Sequence, residues 1–162
     1  MVGSAIFLVL APGTVAGVIP WWISHWRMNA PWLGFSGFRV IGVLGLAGGL
    51  PVLLDSFARF AWQGLGTPAP LLPTQHLVIT GLYRHVRNPM YFALTLVIFG
   101  QALLLGSRDL LIYGLAVWTA FHFFVLIYEE PSLRKRFGPE YDEFCAHVPR
   151  WIPRLEPWQH GL

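Results

Sequence analysis

The chain has 162 residues, of which 55% are hydrophobic, 15% aromatic and only 12% charged. A soluble domain carries about 25% charged residues, and a soluble 18.3 kDa fold has too small an interior for this apolar load. With a mean hydropathy of +0.54, these values exclude disorder and argue against a soluble dinucleotide-binding enzyme. They point to an all-α polytopic membrane helix bundle built as a single domain, residues 1–162. The net charge of +3 gives no indication of nucleic acid as a partner. The one cysteine, Cys145, cannot form an intramolecular disulfide, and no HExxH or CxxC spacing offers a metal site.

A bilayer-spanning helix takes about 20 apolar residues. The first predicted span is 5–22, uncharged but containing Pro12, Gly13 and Pro20; with no Lys or Arg before it, it is not expected to be a signal peptide. The connector WWISHWRMNAPWLGF follows, and its Trp residues favour the headgroup level. The second span is 38–62, with Asp55 and Arg59 near its end. Next comes GLGTPAPLLPTQHLVITGLYRHVRN, too polar and proline-rich to cross. The third and fourth spans are 89–106 and 110–128, and the chain is charged after Tyr128. In that tail, Pro131 opens one short amphipathic helix, Gly138 ends it and Pro139 opens the next. Tyr141, Phe144, Cys145 and Val148 share a face of the second helix, and VPRWIPRL is extended. Arg84, Arg87, Arg134, Lys135, Arg136, Arg150 and Arg154 fall on one side of this map, against Arg27, Arg39 and Arg108 on the other. The expectation is a cytoplasmic-membrane protein with both termini and the amphipathic tail in the cytoplasm.

The short link between the third and fourth spans makes them antiparallel neighbours. Tyr91 lies about 16 residues before that turn and Glu129 about 20 after it, which at about 1.5 Å per residue brings both to one membrane level. The segment Tyr83-Arg84-His85-Val86-Arg87-Asn88-Pro89-Met90-Tyr91 therefore meets Glu129-Glu130. Two arginines can grip a carboxylate or phosphate, and the glutamates suit hydroxyls and cations. Tyr91 can stack on a base or face a cation. Pro89 starts a helix with free amides beside it. S-adenosylmethionine, with a carboxylate, a diol, a base and a positive centre, suits the whole set. Taken singly, the arginines also read as a positive-inside anchor and the glutamates as the start of a solvated tail. The tail reads equally as a lid over the cluster or an interfacial anchor.

The stretches GTPAP…LVITGLYRHVRNPMY, EEPSLRKRFGPEYDEF and VPRWIP resemble the superfamily of isoprenylcysteine carboxyl methyltransferases and phospholipid methyltransferases. The likeness runs roughly from Gly64 to Pro153. It implies S-adenosylmethionine as cofactor, S-adenosylhomocysteine as product, and a cofactor region over about 81–153. On that likeness Arg87, Asn88, Pro89 and Tyr91 match the box, Tyr83 and Arg84 the YR before it, and Glu129 and Glu130 the acidic pair. Arg150 matches a tail arginine that faces the acceptor, so Arg150 and Glu129 are the expected catalytic groups. Asn88 stands where many carboxyl methyltransferases have His, which brings NPMY closer to the phospholipid methyltransferase version. The expected acceptor is a lipophilic small molecule or lipid, reached among the membrane lipids.

Other polar residues have structural readings. Asp55 and Arg59 are spaced to pair on one helix face. His122 is expected to be packed or hydrogen-bonded, and otherwise an acceptor-site group. Gly42, Gly45, Gly48 and Gly49 allow close helix packing, and Gln101 links helices. Gly64-Leu65-Gly66 reads as a loop turn. The rival functions are a non-catalytic scaffold or small transporter subunit, which leaves the polar cluster unexplained, and a haem or quinone protein, for which His122 is the single intramembrane histidine.

Overall fold

The computed structural model describes residues 10–62, 77 and 79–159. Among the described residues every regular element is helical. The first helical segment winds through a π turn at Thr14–Val18 into α1 (Ile19–Ser24) and stops where His25 and Trp26 turn left-handed. Residues 5–9 of the predicted first span, the Gly64-Leu65-Gly66 turn and the Arg59 side chain lie outside the described residues. The predicted Asp55–Arg59 pair falls there too.

The aromatic connector returns across the end of the bundle. Asn29 N–H bonds Leu105 O at 2.9 Å, Trp32 Nε1 donates to Ala102 O at 3.1 Å, and Arg39 Nη2 donates to Asn29 O at 2.9 Å. Helix α2 (Gly37–Trp62) follows, carrying Pro51 inside it. Helix α3 (Pro89–Leu105) starts on Pro89 and ends at Gly106, whose φ of 66° is left-handed. Ser107 caps α4 (Arg108–Phe124), its hydroxyl accepting from Leu110 N at 3.3 Å. The two-residue turn makes α3 and α4 antiparallel neighbours, as the sequence predicts.

Helix α3 is sandwiched between α2 and α4. Glycines make the first contact. A Cβ at Gly42 would stand 2.5 Å from Leu104 N, one at Gly49 2.8 Å from Val97 Cγ2, and one at Gly100 2.9 Å from Gly42 O. Gly45 is in ordinary contact with Gly100, whereas Gly48 faces open space and takes no part, a correction to the predicted four-glycine stripe. Gln101 is the expected link between helices: its Nε2 donates to Ala16 O at 2.7 Å and its Oε1 accepts from Trp26 Nε1 at 3.2 Å.

Among the described residues two helices, Gly37–Ser56 and Arg108–Phe137, are long and apolar enough to cross a membrane, and Pro89–Leu105 is a shorter apolar helix. Their outer faces are apolar. Val40, Val43, Leu44 and Leu54 on α2 and Ile112, Leu115 and Phe123 on α4 are exposed, a surface suited to lipid.

The tail departs from expectation at its start. Instead of ending near Tyr128, α4 widens into a π turn at Val125–Glu129 and runs on into α5 (Glu130–Phe137). Glu130 N–H reaches back to Val125 O across the widened turn, so the missing amide of Pro131 falls where the ladder changes register and breaks nothing. Gly138 (φ 53°) then ends α5, and Pro139 opens α6 (Pro139–His147), both as predicted.

The glycine contacts generate a stability test. Gly100→Leu should destabilise the detergent-purified protein by about 1–3 kcal/mol, because the α2 backbone blocks the new side chain. Gly48→Ala should leave the melting temperature unchanged or slightly raised. Equal melting of the two variants in thermal denaturation would contradict this packing.

Candidate cofactor site

The site is assembled by three segments. The first is the short 3₁₀ turn Gly81–Arg84 with the residues leading into α3. The second is the π turn and the start of α5. The third is the strap after α6, residues 148–159, which is non-helical, as the prolines of VPRWIPRL lead one to expect, but bends at 150–152 and 155–156 instead of running extended. The strap runs antiparallel to residues 84–88: Arg87 N–H bonds Pro149 O at 2.9 Å, Arg154 N–H bonds His85 O at 3.0 Å, and Trp158 N–H bonds Arg84 O at 2.9 Å. Side chains reinforce it, with Asn88 Nδ2 donating to Arg150 O at 3.2 Å and Arg84 Nε to Trp158 O at 2.6 Å. Its far end is anchored by Trp158, buried with Tyr141, Phe144 and Val148 of the predicted α6 face, against Leu133, Phe137 and Cys145.

The strap carries Arg150 onto Glu130. Arg150 Nε bonds Oε1 at 2.6 Å and Nη2 bonds Oε2 at 2.9 Å, a two-point fork. Arg87 Nη1 bonds the same Oε1 at 3.1 Å and Cys145 Sγ at 2.9 Å. Glu130 is only 7% exposed, so one carboxylate with two guanidiniums forms a largely dry ion cluster. Its hydrogen bond to Glu130 raises the Arg150 guanidinium further above its ordinary range. Burial, with Cys145 beside it, pushes the Tyr141 hydroxyl up as well.

A second group lies next to this cluster. Glu129 interacts with Tyr91 and with Tyr83, and Tyr83 in turn feels Asp55. Burial raises the Tyr83 hydroxyl above its usual range, and the carboxylates of Glu129 and Asp55 add to the effect. The Tyr91 ring lies 4.7 Å from Phe121 and 6.5 Å, edge to face, from Phe124. Glu129 Oε2 and Arg87 Nε are both buried with no hydrogen-bond partner. An acceptor atom and a cationic donor, each buried without a partner and carried by neighbouring groups, suit a zwitterionic ligand, and the rings around Tyr91 suit a flat base.

The structure thus brings Arg87, Asn88, Glu130 and Arg150 into one network, with Tyr83, Tyr91 and Glu129 in a second beside it. Pro89 is buried at the start of α3, whose first amides no side chain caps. Arg84 is set apart. It lines a cavity of about 510 Å³ on the α2 side with Asp55, His85, Leu82 and Pro157. Sequence spacing missed the Cys145–Arg87 contact and the role of Trp158, because both depend on how the strap folds back. His122 is hydrogen-bonded, as expected: Trp151 Nε1 donates to its Nδ1 at 3.1 Å, and Trp118 stacks on its ring at 5.3 Å. Among the described residues no group of His, Cys, Asp and Glu is arranged to hold a metal.

The phospholipid methyltransferase family profile matches residues 38–140, more than half of the chain. The chain belongs to this family. It is also 34% identical over 82 residues to a protein-S-isoprenylcysteine O-methyltransferase of Schizosaccharomyces pombe, covering 49% of this chain and 34% of the yeast protein. A probable protein-S-isoprenylcysteine O-methyltransferase of Oryza sativa subsp. indica is 34% identical over 84 residues, covering 51% of this chain and 44% of the rice protein. The chain thus matches less than half the length of either relative. Methyltransferase names run through both comparisons, and the helical, apolar structure agrees with a membrane-associated member of the family.

The ion cluster predicts a large stability effect. Glu130→Ala leaves two part-buried guanidiniums without their carboxylate and should destabilise the protein by about 3–5 kcal/mol. A melting temperature in detergent equal to that of the parent chain would show that the cluster does not hold the strap.

Proposed function

We propose that the chain is an integral membrane methyltransferase that takes its methyl group from S-adenosylmethionine and passes it to a lipophilic acceptor. In this reading four segments cross the bilayer, with both termini, the strap and the cofactor site on the cytoplasmic side. The observation that carries the reading is the unequal state of the two adjacent glutamates. Glu130 is occupied by two arginines, whereas Glu129 Oε2 is enclosed without a partner beside Tyr91. Glu130 is therefore the structural carboxylate and Glu129 the ligand-binding one.

Bound there, S-adenosylmethionine supplies a methyl group on a positively charged sulfur. Glu129 attracts the cationic part of the ligand, the α-ammonium or the sulfonium, and Tyr91 offers it an aromatic face. Arg87, through its open Nε, takes the ligand carboxylate. Tyr83 and Asn88 close the polar wall, Pro89 brings the α3 amides close, and Arg84 serves by holding the strap through Trp158 O. Arg150, locked by Nε and Nη2 onto Glu130, turns its remaining Nη1 toward an anionic acceptor and orients it for in-line attack. A carboxylate oxygen needs no base; an amine must arrive neutral or give its proton to Glu129. The relatives' names favour an isoprenylcysteine carboxylate as acceptor, and the NPMY box favours a phospholipid amine. Both are membrane-partitioned nucleophiles that the apolar faces of α2 and α4 admit.

Calorimetric titration of S-adenosylhomocysteine into the detergent- or nanodisc-embedded protein tests this reading. The parent chain should bind saturably. Glu129→Gln should weaken binding about tenfold or more, the loss of one charge-assisted contact, with the melting temperature unchanged. Absence of saturable binding in folded parent protein, in nanodiscs as well as detergent, would refute it.

A further inference from the structure

The strap does more than cross the polar cluster, because its tip reaches down the side of α4. Trp151 Nε1 donates to His122 Nδ1 at 3.1 Å. His122 lies about seven residues before Glu129 on the same continuous helix, hence about 10 Å further along it toward the apolar middle. That helix, Arg108–Phe137, is one of the two long enough to cross a membrane. His122 is stacked on Trp118 there, beside Phe123, and both Trp118 and Phe123 are exposed on the outer face. The tip residues beside Trp151 turn outward: Ile152 is 79% exposed and Leu155 97%. Two large exposed aliphatic side chains on a segment tied by Trp151 to a lipid-facing helix have an obvious apolar partner.

From this we infer that the Pro149–Leu155 tip is a bilayer-contacting wedge, seated at the boundary between headgroups and acyl chains, with Ile152 and Leu155 in contact with lipid. The inference rests on the reading that α4 crosses the bilayer and is independent of the methyl-transfer chemistry. On either side of Trp151–Pro153 the backbone agrees with such a seat. Irregular chain at membrane depth must bring few unpaired polar groups. Pro149 and Pro153 have no N–H to lose. Pro149 O, Arg150 O, Arg154 N–H and Arg154 O all have partners on residues 85–88. An indole bonded at its N–H, like that of Trp151 on His122, is the usual side chain at this boundary. The two charges within the tip are turned back onto protein, Arg150 onto Glu130 and Arg154 Nη1 onto His147 O at 2.9 Å. Glu156 is exposed, and Trp158 N–H is already back at Arg84 O, at the level of the polar cluster. Lipid contact and cofactor cluster are joined through one short segment, since Arg150 and Trp151 are adjacent: the first locks Glu130, the second fixes the tip on α4.

The test uses the full chain in nanodiscs. In a Cys145→Ala background, Ile152→Cys is labelled with bimane and compared with Glu140→Cys, an exposed position on α6. Nitroxide-labelled phosphatidylcholine should quench the label at 152 severalfold more strongly than the label at 140, and aqueous iodide should show the reverse order. Iodide quenching at 152 as strong as at 140, with no preferential lipid quenching, would overturn the inference. If the Cys145→Ala background fails to fold, benzoylphenylalanine at position 152 of the otherwise unchanged chain gives a second measurement. Photolysis should yield protein–phospholipid adducts detectable by mass spectrometry, and their absence, with adducts obtained from a control at exposed Leu115 on α4, would equally overturn it.

Discussion

The Glu130 carboxylate between Arg87 and Arg150 ties together parts of the chain that are far apart in sequence. Arg87 precedes α3, Glu130 follows the π turn, and Arg150 belongs to the strap. Each charge alone would be expensive at this degree of burial. Together they neutralise one another at hydrogen-bond distance, with the guanidinium fork fixing direction as well as charge. The strap is irregular chain with little packing of its own, and this cluster, its hydrogen bonds to residues 84–88 and the Trp158 anchor hold it in place.

The π turn at Val125–Glu129 makes the cluster possible. It inserts extra chain into a helix that continues as α5, and so rotates α5 relative to α4. Adjacent glutamates consequently meet different surroundings, Glu130 the arginines and Glu129 the tyrosines. π turns recur at functional positions for this reason: they re-aim side chains without ending a helix. At the other end of the bundle, the glycine contact of α2 with α3 leaves almost no space between their backbones, and the Gln101 bonds fix the first helical segment against α3. The rigid end of the molecule is thus glycine-packed and the chemical end is held by charge.

Much of this was legible in the sequence. Apolar stretches placed the helices, Gly106 and Ser107 marked the tight turn, and Gly138-Pro139 marked the break between α5 and α6. Helical rise alone brought Tyr91 and Glu129 to one level. The helical spacing of Tyr141, Phe144 and Val148 foretold a buried face. What failed to show was contact between segments. The glycine pattern did not distinguish Gly48 from its neighbours, since helix rotation is set by packing. Pro131 after two glutamates looked like a break, because a proline stops an ordinary helix and only the widened turn before it removes the conflict.

By itself the sequence determined which segments are apolar, where helices begin and end, and which polar residues share a membrane level, because these follow from hydrophobicity, turn chemistry and a constant rise per residue. Only the tertiary structure decided the pairing of charges. Sequence spacing brought Glu129 and Glu130 to the level of the arginines and offered both alike as ligand-binding carboxylates. The fold gave the arginines to Glu130 and left an oxygen of Glu129 open, because the direction of a side chain depends on helix phase at the π turn and on the return of a strap from 20 residues further along the chain.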